Sequence, residues 1–184
     1  CAFAQRGEDW FTVEGVAATR RSGGTAGKNI DYNAVDEARV QSLGTDAEFP
    51  TRGVQINLIV KSGGNDFHGA GHWGQTNQNF QSNNIDDELE AIGITRGDGL
   101  ENRYDLSGEF GGRIVRDKLW FYGSARTRYE EQSVLGAFKP DGSPAHNMFT
   151  QHLNAEKISY RVTPGLQLIG FHSRHYKKEI ATGN

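Results

Sequence analysis

The chain has 184 residues, of which 35% are hydrophobic and 24 are glycine, with a mean hydropathy of −0.66. Too few residues are apolar for a soluble α/β enzyme, whose parallel strands read as near-continuous apolar runs. The 19 aromatics (Trp 3, Tyr 6, Phe 10) are too many for a disordered coil. Twenty basic against 23 acidic residues, net −3, leave no basic footprint for nucleic acid, so none is expected as a partner.

In chain order, Cys1 comes first. As the single cysteine it excludes an internal disulfide framework and a cysteine zinc cluster. At the first position it is also a candidate for lipoprotein acylation. With no initiating Met and no basic-then-apolar leader, both ends read as cuts through something longer. Ala34–Arg39 is expected to form a short helical turn. Val54–Val60 starts by alternating and then fills in, as a strand covered on both sides does. Gly63-Gly64-Asn65-Asp66 is a turn cluster.

From there period-two patterns take over. They predict strands at Phe67–Thr76, Asn102–Gly112, Lys118–Tyr129, Phe149–Tyr160 and Leu166–Lys177. Between the first two lies a polar, acidic stretch, 77–101, with a helical turn at Asp87–Ile92. From Asp86 to Glu109 eight acidic residues face only Arg96 and Arg103. The link Arg113–Asp117 is tight. A loop runs from 130 to about Asn147 and contains Lys139-Pro140-Asp141-Gly142-Ser143-Pro144. Arg161-Val162-Thr163-Pro164-Gly165 is again a tight turn.

No apolar stretch, such as Leu58–Val60 or Leu119–Tyr122, approaches the roughly 18 residues of a transmembrane helix. The strands exceed the usual globular five or six residues and sit near the ~9–11 that cross a bilayer at a tilt. The connections alternate long and short, as in outer-membrane barrels with short periplasmic turns and long extracellular loops. The faces agree in part. Tyr104, Leu106, Gly108 and Phe110 fall on one side, against Arg103, Asp105, Ser107 and Glu109. Leu119, Phe121, Gly123 and Ala125 oppose Ser124, Arg126 and Arg128, with Trp120 and Tyr122 on the latter side, placed to pack on a plug. In the fourth strand the parity slips between Ala155 and Ile158, which a bulge or a different register explains. The register of the last strand is ambiguous.

Chemistry-bearing motifs are few. His68/His72 and His172/His175 have chelating spacing on a helix, but on strands the first pair is about 13 Å apart and the second points to opposite faces. No metal is expected there. Asp86-Asp87-Glu88-x-Glu90 lacks EF-hand spacing and reads as a solvated acidic loop. Gly63-Gly64 and Gly111-Gly112 precede no helix and are not phosphate loops. No spacing nominates a catalytic triad or a nucleophile elbow, so no enzyme, catalytic residue or cofactor is expected. Arg126 and Arg128, two apart on one face, are either contacts for an anionic ligand or polar wall residues neutralised by Glu109 or Asp105. The neutralised reading is preferred.

Three blocks carry a resemblance. The first runs from Val35 to Gly71 and holds Val35-Asp36-Glu37-Ala38-Arg39-Val40, Ala47-Glu48-Phe49, Gly53-Val54-Gln55-Ile56-Asn57 and Val60-Lys61-Ser62-Gly63-Gly64-Asn65-Asp66-Phe67-His68-Gly69. The second is Asp105 to Gly123, with Gly111-Gly112-Arg113-Ile114-Val115-Arg116-Asp117-Lys118-Leu119-Trp120-Phe121-Tyr122, and the third is Trp10 to Val16. They are similar, in order, to the plug-to-barrel junction of TonB-dependent outer-membrane transporters, nearest the Oar-like branch. Its patterns read "G-G-x-I-N-x-V-T-K-S-G-x-N-x-F-H-G", "G-G-P-I-x-x-D-K-x-F-F-F" and "x-L-D-G-V". Pro50 stands where that branch usually has Gly, and Arg113 where it has Pro.

The resemblance implies a mostly all-β chain, an antiparallel transmembrane β-barrel fragment with the C-terminal part of an N-terminal plug domain. Residues 1–61 would be the plug part, and 62–184 about five first strands of a barrel of about 22. It implies TonB-dependent uptake of a ligand across the bacterial outer membrane, with lipid and the TonB complex as partners. The TonB-contacting segment is absent from this chain, and no bond of the cargo is broken. Siderophore, glycan, peptide and cobalamin all remain open as cargo. Arg103, Asp105, Glu109, Arg126 and Arg128 are the lumen-facing candidates for substrate contact. The competing expectation is a secreted or periplasmic β-rich carbohydrate- or ligand-binding module, using aromatics such as Trp73 and Trp120 to stack on sugars.

Overall fold

A computed structural model describes residues 10–18, 30–41, 54–80, 86, 88, 91 and 99–182. Cys1, the Ala47-Glu48-Phe49 segment, Pro50, Gly53, and Asp87 and Glu90 of the acidic run lie outside the described residues. Strand dominates the rest. The strands are β1 (Trp10–Val13), β2 (Val16–Ala17), β3 (Val35–Gln41), β4 (Gln55–Val60), β5 (His68–Asn77), β6 (Leu100–Val115), β7 (Leu119–Phe138), β8 (Pro144–Thr163) and β9 (Leu166–Thr182). No described helix is long and apolar enough to cross a membrane. The chain divides into two compact units, one of 1–70, 109–125 and 153–175, the other of 71–108, 126–152 and 176–184.

A four-stranded sheet, ordered β2-β1-β4-β3, lies in the first unit. β1 and β2 form a two-residue hairpin in which Glu14 (φ 52°) and Gly15 (φ 76°) are both left-handed. That is the backbone a tight hairpin needs to match strand twist, and glycine at the second position supplies it without steric cost. β4 runs parallel to β1 and antiparallel to β3, with a bulge between Val35 and Glu37. The helical turn expected at Ala34–Arg39 is instead a 3-10 turn at Tyr32–Ala34 followed by strand. Asp31 caps the start of that turn by accepting the Asn33 amide, Val35 closes it by donating its N–H to the Tyr32 carbonyl, and β4 then offers Val35–Gln41 a ladder. Glu88 and Ala91, within the expected turn at Asp87–Ile92, are helical.

The other sheet is five-stranded in chain order, β5-β6-β7-β8-β9. It is not closed: β5 and β9 are its edges. All five predicted strands are present, and most run longer than the sequence pattern indicates. The loop expected from 130 to Asn147 is mostly strand, leaving only residues 139–143 as the link. Its chemistry explains the contraction. Gly142 (φ 81°) donates its N–H to the Lys139 carbonyl at 2.9 Å, and Lys139 donates to the Ser143 carbonyl at 2.8 Å. Pro140 presets the first turn angle and Asp141 accepts from the Ser143 amide, so Pro-Asp-Gly closes a tight hairpin. Of the two long connections expected, only 78–99 remains.

Burial alternates without interruption from Gln151 to Ser159 of β8, with Gln151, Leu153, Ala155, Lys157 and Ser159 buried. No bulge is therefore needed between Ala155 and Ile158. The sequence pattern breaks there because this buried face mixes apolar with polar residues. In the first unit Ala155 joins Val13, Ala34, Val60 and Tyr122 in the core, with Leu58, Ile30 and Phe171 packed around them. Tyr122 thus packs against the four-stranded sheet. The opposite face of β6 keeps Tyr104, Leu106 and Phe110 exposed.

Candidate functional site

In the second unit, β6 and β7 set Asp105, Arg126 and Arg128 on one face by strand alternation. Arg126 grips Asp105 with two nitrogens, Nε to Oδ1 at 2.8 Å and Nη2 to Oδ2 at 2.5 Å. This fork-to-carboxylate geometry is the strongest form of the pair, and only 4% of the Arg126 side chain is exposed. Arg128 adds a looser contact, its Nε 3.5 Å from Asp105 Oδ2. Arg103 reaches Glu130 instead, at 3.7 Å. Three of the five sequence candidates are thus brought together, and Asp105 is the neutralising partner of the arginine pair.

Glu109 belongs to a different cluster, in the first unit. It accepts two hydrogen bonds from Lys61 Nζ, at 2.8 and 2.9 Å, and one from the Tyr122 hydroxyl at 2.7 Å. A second lysine does similar work nearby. Lys157 Nζ donates to Glu14 Oε1 at 2.8 Å and to the Val60 carbonyl at 2.9 Å, while Glu14 accepts the Val60 amide at 2.7 Å. Lys61, Tyr122, Lys157 and Glu14 are not among the sequence candidates for a site. Lys61, Lys157 and Glu14 act on residues 46 to 143 positions away, so no local spacing announces them, whereas Tyr122 meets Glu109 across the β6–β7 hairpin.

Asn65 organises the β6–β7 hairpin. Its side-chain oxygen accepts from the Asp117 amide and from Trp120 Nε1, both at 2.9 Å, and its main-chain carbonyl accepts from Arg113. Asp117 is left-handed (φ 57°), a conformation Asp tolerates better than most residues. The Phe67 ring lies over Gly112, where a methyl group would collide with it, and stacks on Phe110 at 6.0 Å. Trp120 is buried with the Arg161 guanidinium 5.0 Å from its ring centre, so it offers no free face to a sugar, whereas Trp73 is exposed.

Farther along the second unit, β7, β8 and β9 line an open cavity of about 550 Å³, with residues including Arg128, Glu130, Asn147, Phe149, Glu179 and Ile180. Among the described residues, no cluster of three His, Cys, Asp or Glu is set to hold a metal. His172 Nδ1 instead meets Glu156 Oε2 at 2.8 Å on an exposed face.

No protein-family model matches the chain, and no solved structure matches it. Among curated proteins it is similar to the TonB-dependent transporter Oar of Myxococcus xanthus, at 29% identity over 139 residues. That match covers 73% of this chain but spans only 13% of the relative's length.

Proposed function

We propose that this chain is part of a TonB-dependent receptor of the Oar-like branch, importing a ligand across the bacterial outer membrane. Residues 1–61 are the end of its plug, and 62–184 the first strands of the barrel wall. Transport proceeds by ligand entry from outside, traction by the TonB complex on a plug segment outside this chain, and release to the periplasm. No covalent chemistry is required of any residue.

The observation that carries this reading is the two-sidedness of β6 and β7. One face leaves large apolar groups uncovered, Leu106 at 54% and Phe110 at 51% exposed. The other buries the Asp105–Arg126 pair and, in the first unit, packs Tyr122 on the four-stranded sheet. An apolar exterior with a polar interior is what a barrel wall between lipid and water requires. The similarity to Oar supports the same reading. On β8 and β9 the exposed face is mixed, carrying the Glu156–His172 pair beside Ile158.

The test is fractionation of the full-length protein. It should sediment with outer membranes, need detergent for extraction, and migrate faster on a gel before boiling than after. Recovery in the soluble fraction without detergent would falsify the proposal.

A further inference from the structure

The cavity of the second unit has an unusual balance of matched and unmatched groups. Arg128 lines it and, among the described residues, donates no hydrogen bond. Its only ion pair among those residues is the 3.5 Å contact with Asp105, whose two oxygens Arg126 already holds at 2.8 and 2.5 Å. Its guanidinium fork is therefore open to a second carboxylate. Two carboxylates stand on the same lining. Glu130 accepts from Gln132 at 2.7 Å and has Arg103 at 3.7 Å, and Glu179 pairs with Lys177 at 2.6 Å. A carboxylate has about four acceptor sites, so both retain capacity for an ammonium. Asn147 adds an exposed amide without a side-chain partner among the described residues, and Phe149 and Ile180 add apolar surface.

One open guanidinium, two carboxylates with spare acceptors, an amide and some apolar surface complement a molecule with the same parts. From this lining we infer that the cavity binds a short peptide with free termini, its carboxylate on Arg128 and its ammonium between Glu130 and Glu179. A polyanionic metal chelate fits poorly, because both carboxylates repel it. A neutral sugar needs an open aromatic face, and Lys177 Nζ lies 5.2 Å over the Phe149 ring. A volume of about 550 Å³ is within the range of small-ligand sites and suits a few residues. This inference rests on the transporter reading and gives its cargo a chemical class.

The experiment uses the full-length protein in detergent and a synthetic random tetrapeptide library, with retained peptides identified by mass spectrometry. The expected result is at least tenfold greater retention of free-ended peptides than of the same library acetylated and amidated. Arg128→Gln and Glu130→Gln should each reduce free-ended retention to the blocked level. If either variant does not reach the membrane, Glu179→Gln on the edge strand β9 is expected to give the same loss. Equal retention of free and blocked libraries, retention unchanged in the variants, or none at all overturns the site while leaving the transporter reading standing. A protein that is soluble without detergent overturns that reading itself.

Discussion

Lys157 and Glu14, 143 residues apart, meet at 2.8 Å with only 3% of the lysine side chain exposed. The contact closes a triangle, because Lys157 also holds the Val60 carbonyl and Glu14 the Val60 amide. The left-handed Glu14–Gly15 turn, the end of β4 and the middle of β8 are thereby tied at one point. A buried lysine left without its carboxylate would be unfavourable, so the pair specifies this arrangement at least as much as it stabilises it.

Removing one partner should therefore be worse than removing both. Lys157→Met or Glu14→Gln alone is expected to cost roughly 3–5 kcal/mol, the usual range for a broken buried pair. The double variant should recover a substantial part. Guanidinium unfolding midpoints of the four proteins form the cycle, and strictly additive losses would show that the two groups are not coupled.

Asn65 should behave as a hub rather than as a surface turn residue. Asn65→Ala leaves the Asp117 amide and the Trp120 indole N–H without their acceptor, at about 1–3 kcal/mol for unsatisfied donors. Gly112→Ala acts on the same hairpin by driving a methyl into the Phe67 ring. Both should lower the thermal midpoint, while Gly64→Ala, where the added methyl meets no neighbour, should change it far less. A Gly112→Ala protein of wild-type stability would mean that the ring does not sit there.

These positions mark how far the sequence can be read. The alternation of β6 is legible because its two faces carry different kinds of side chain, so Tyr104, Leu106 and Phe110 separate cleanly from Asp105 and Glu109. The sequence narrows the partner of Arg126 to Glu109 or Asp105 on the same face, and the cross-strand register selects Asp105. β8 is not legible in this way, because Leu153 and Ala155 share their covered face with Lys157 and Ser159. The 130–147 stretch is strand where the sequence suggests loop, because Glu130-Glu131-Gln132 carries no apolar period although the backbone stays extended. Lys157–Glu14 and Lys61–Glu109, separated by 143 and 48 residues, leave no local trace at all.

The Pro140-Asp141-Gly142 turn offers a pH-dependent test. The Ser143 hydroxyl donates to Asp141 at 2.6 Å and the Ser143 amide at 2.9 Å, holding this carboxyl below the usual carboxylate range. Its contribution is thus fully present above the ordinary aspartate value and fades as pH falls through the lowered one. Carbon-detected NMR of the side-chain carboxyl should show a midpoint below that of a model aspartate. Ser143→Ala should move it back up, and a midpoint unchanged by that substitution would remove the hydrogen bonds as its cause.

Leu106 separates a lipid-facing wall from a soluble sheet most directly. It lies on the face of β6 shared by Tyr104 and Phe110, and it is more than half exposed. In water such a position tolerates a charge, and surface substitutions usually stay within about 0.5 kcal/mol. Against hydrocarbon, Leu106→Arg near the bilayer midplane should cost about 2–4 kcal/mol, because the guanidinium must either lose its hydration or drag water inward. Unfolding of the full-length protein from lipid vesicles measures the difference, with Leu106→Val as the control for lost volume. If arginine and valine are tolerated equally, that face meets water, and the exposed apolar band on β6 must be explained by something other than a membrane.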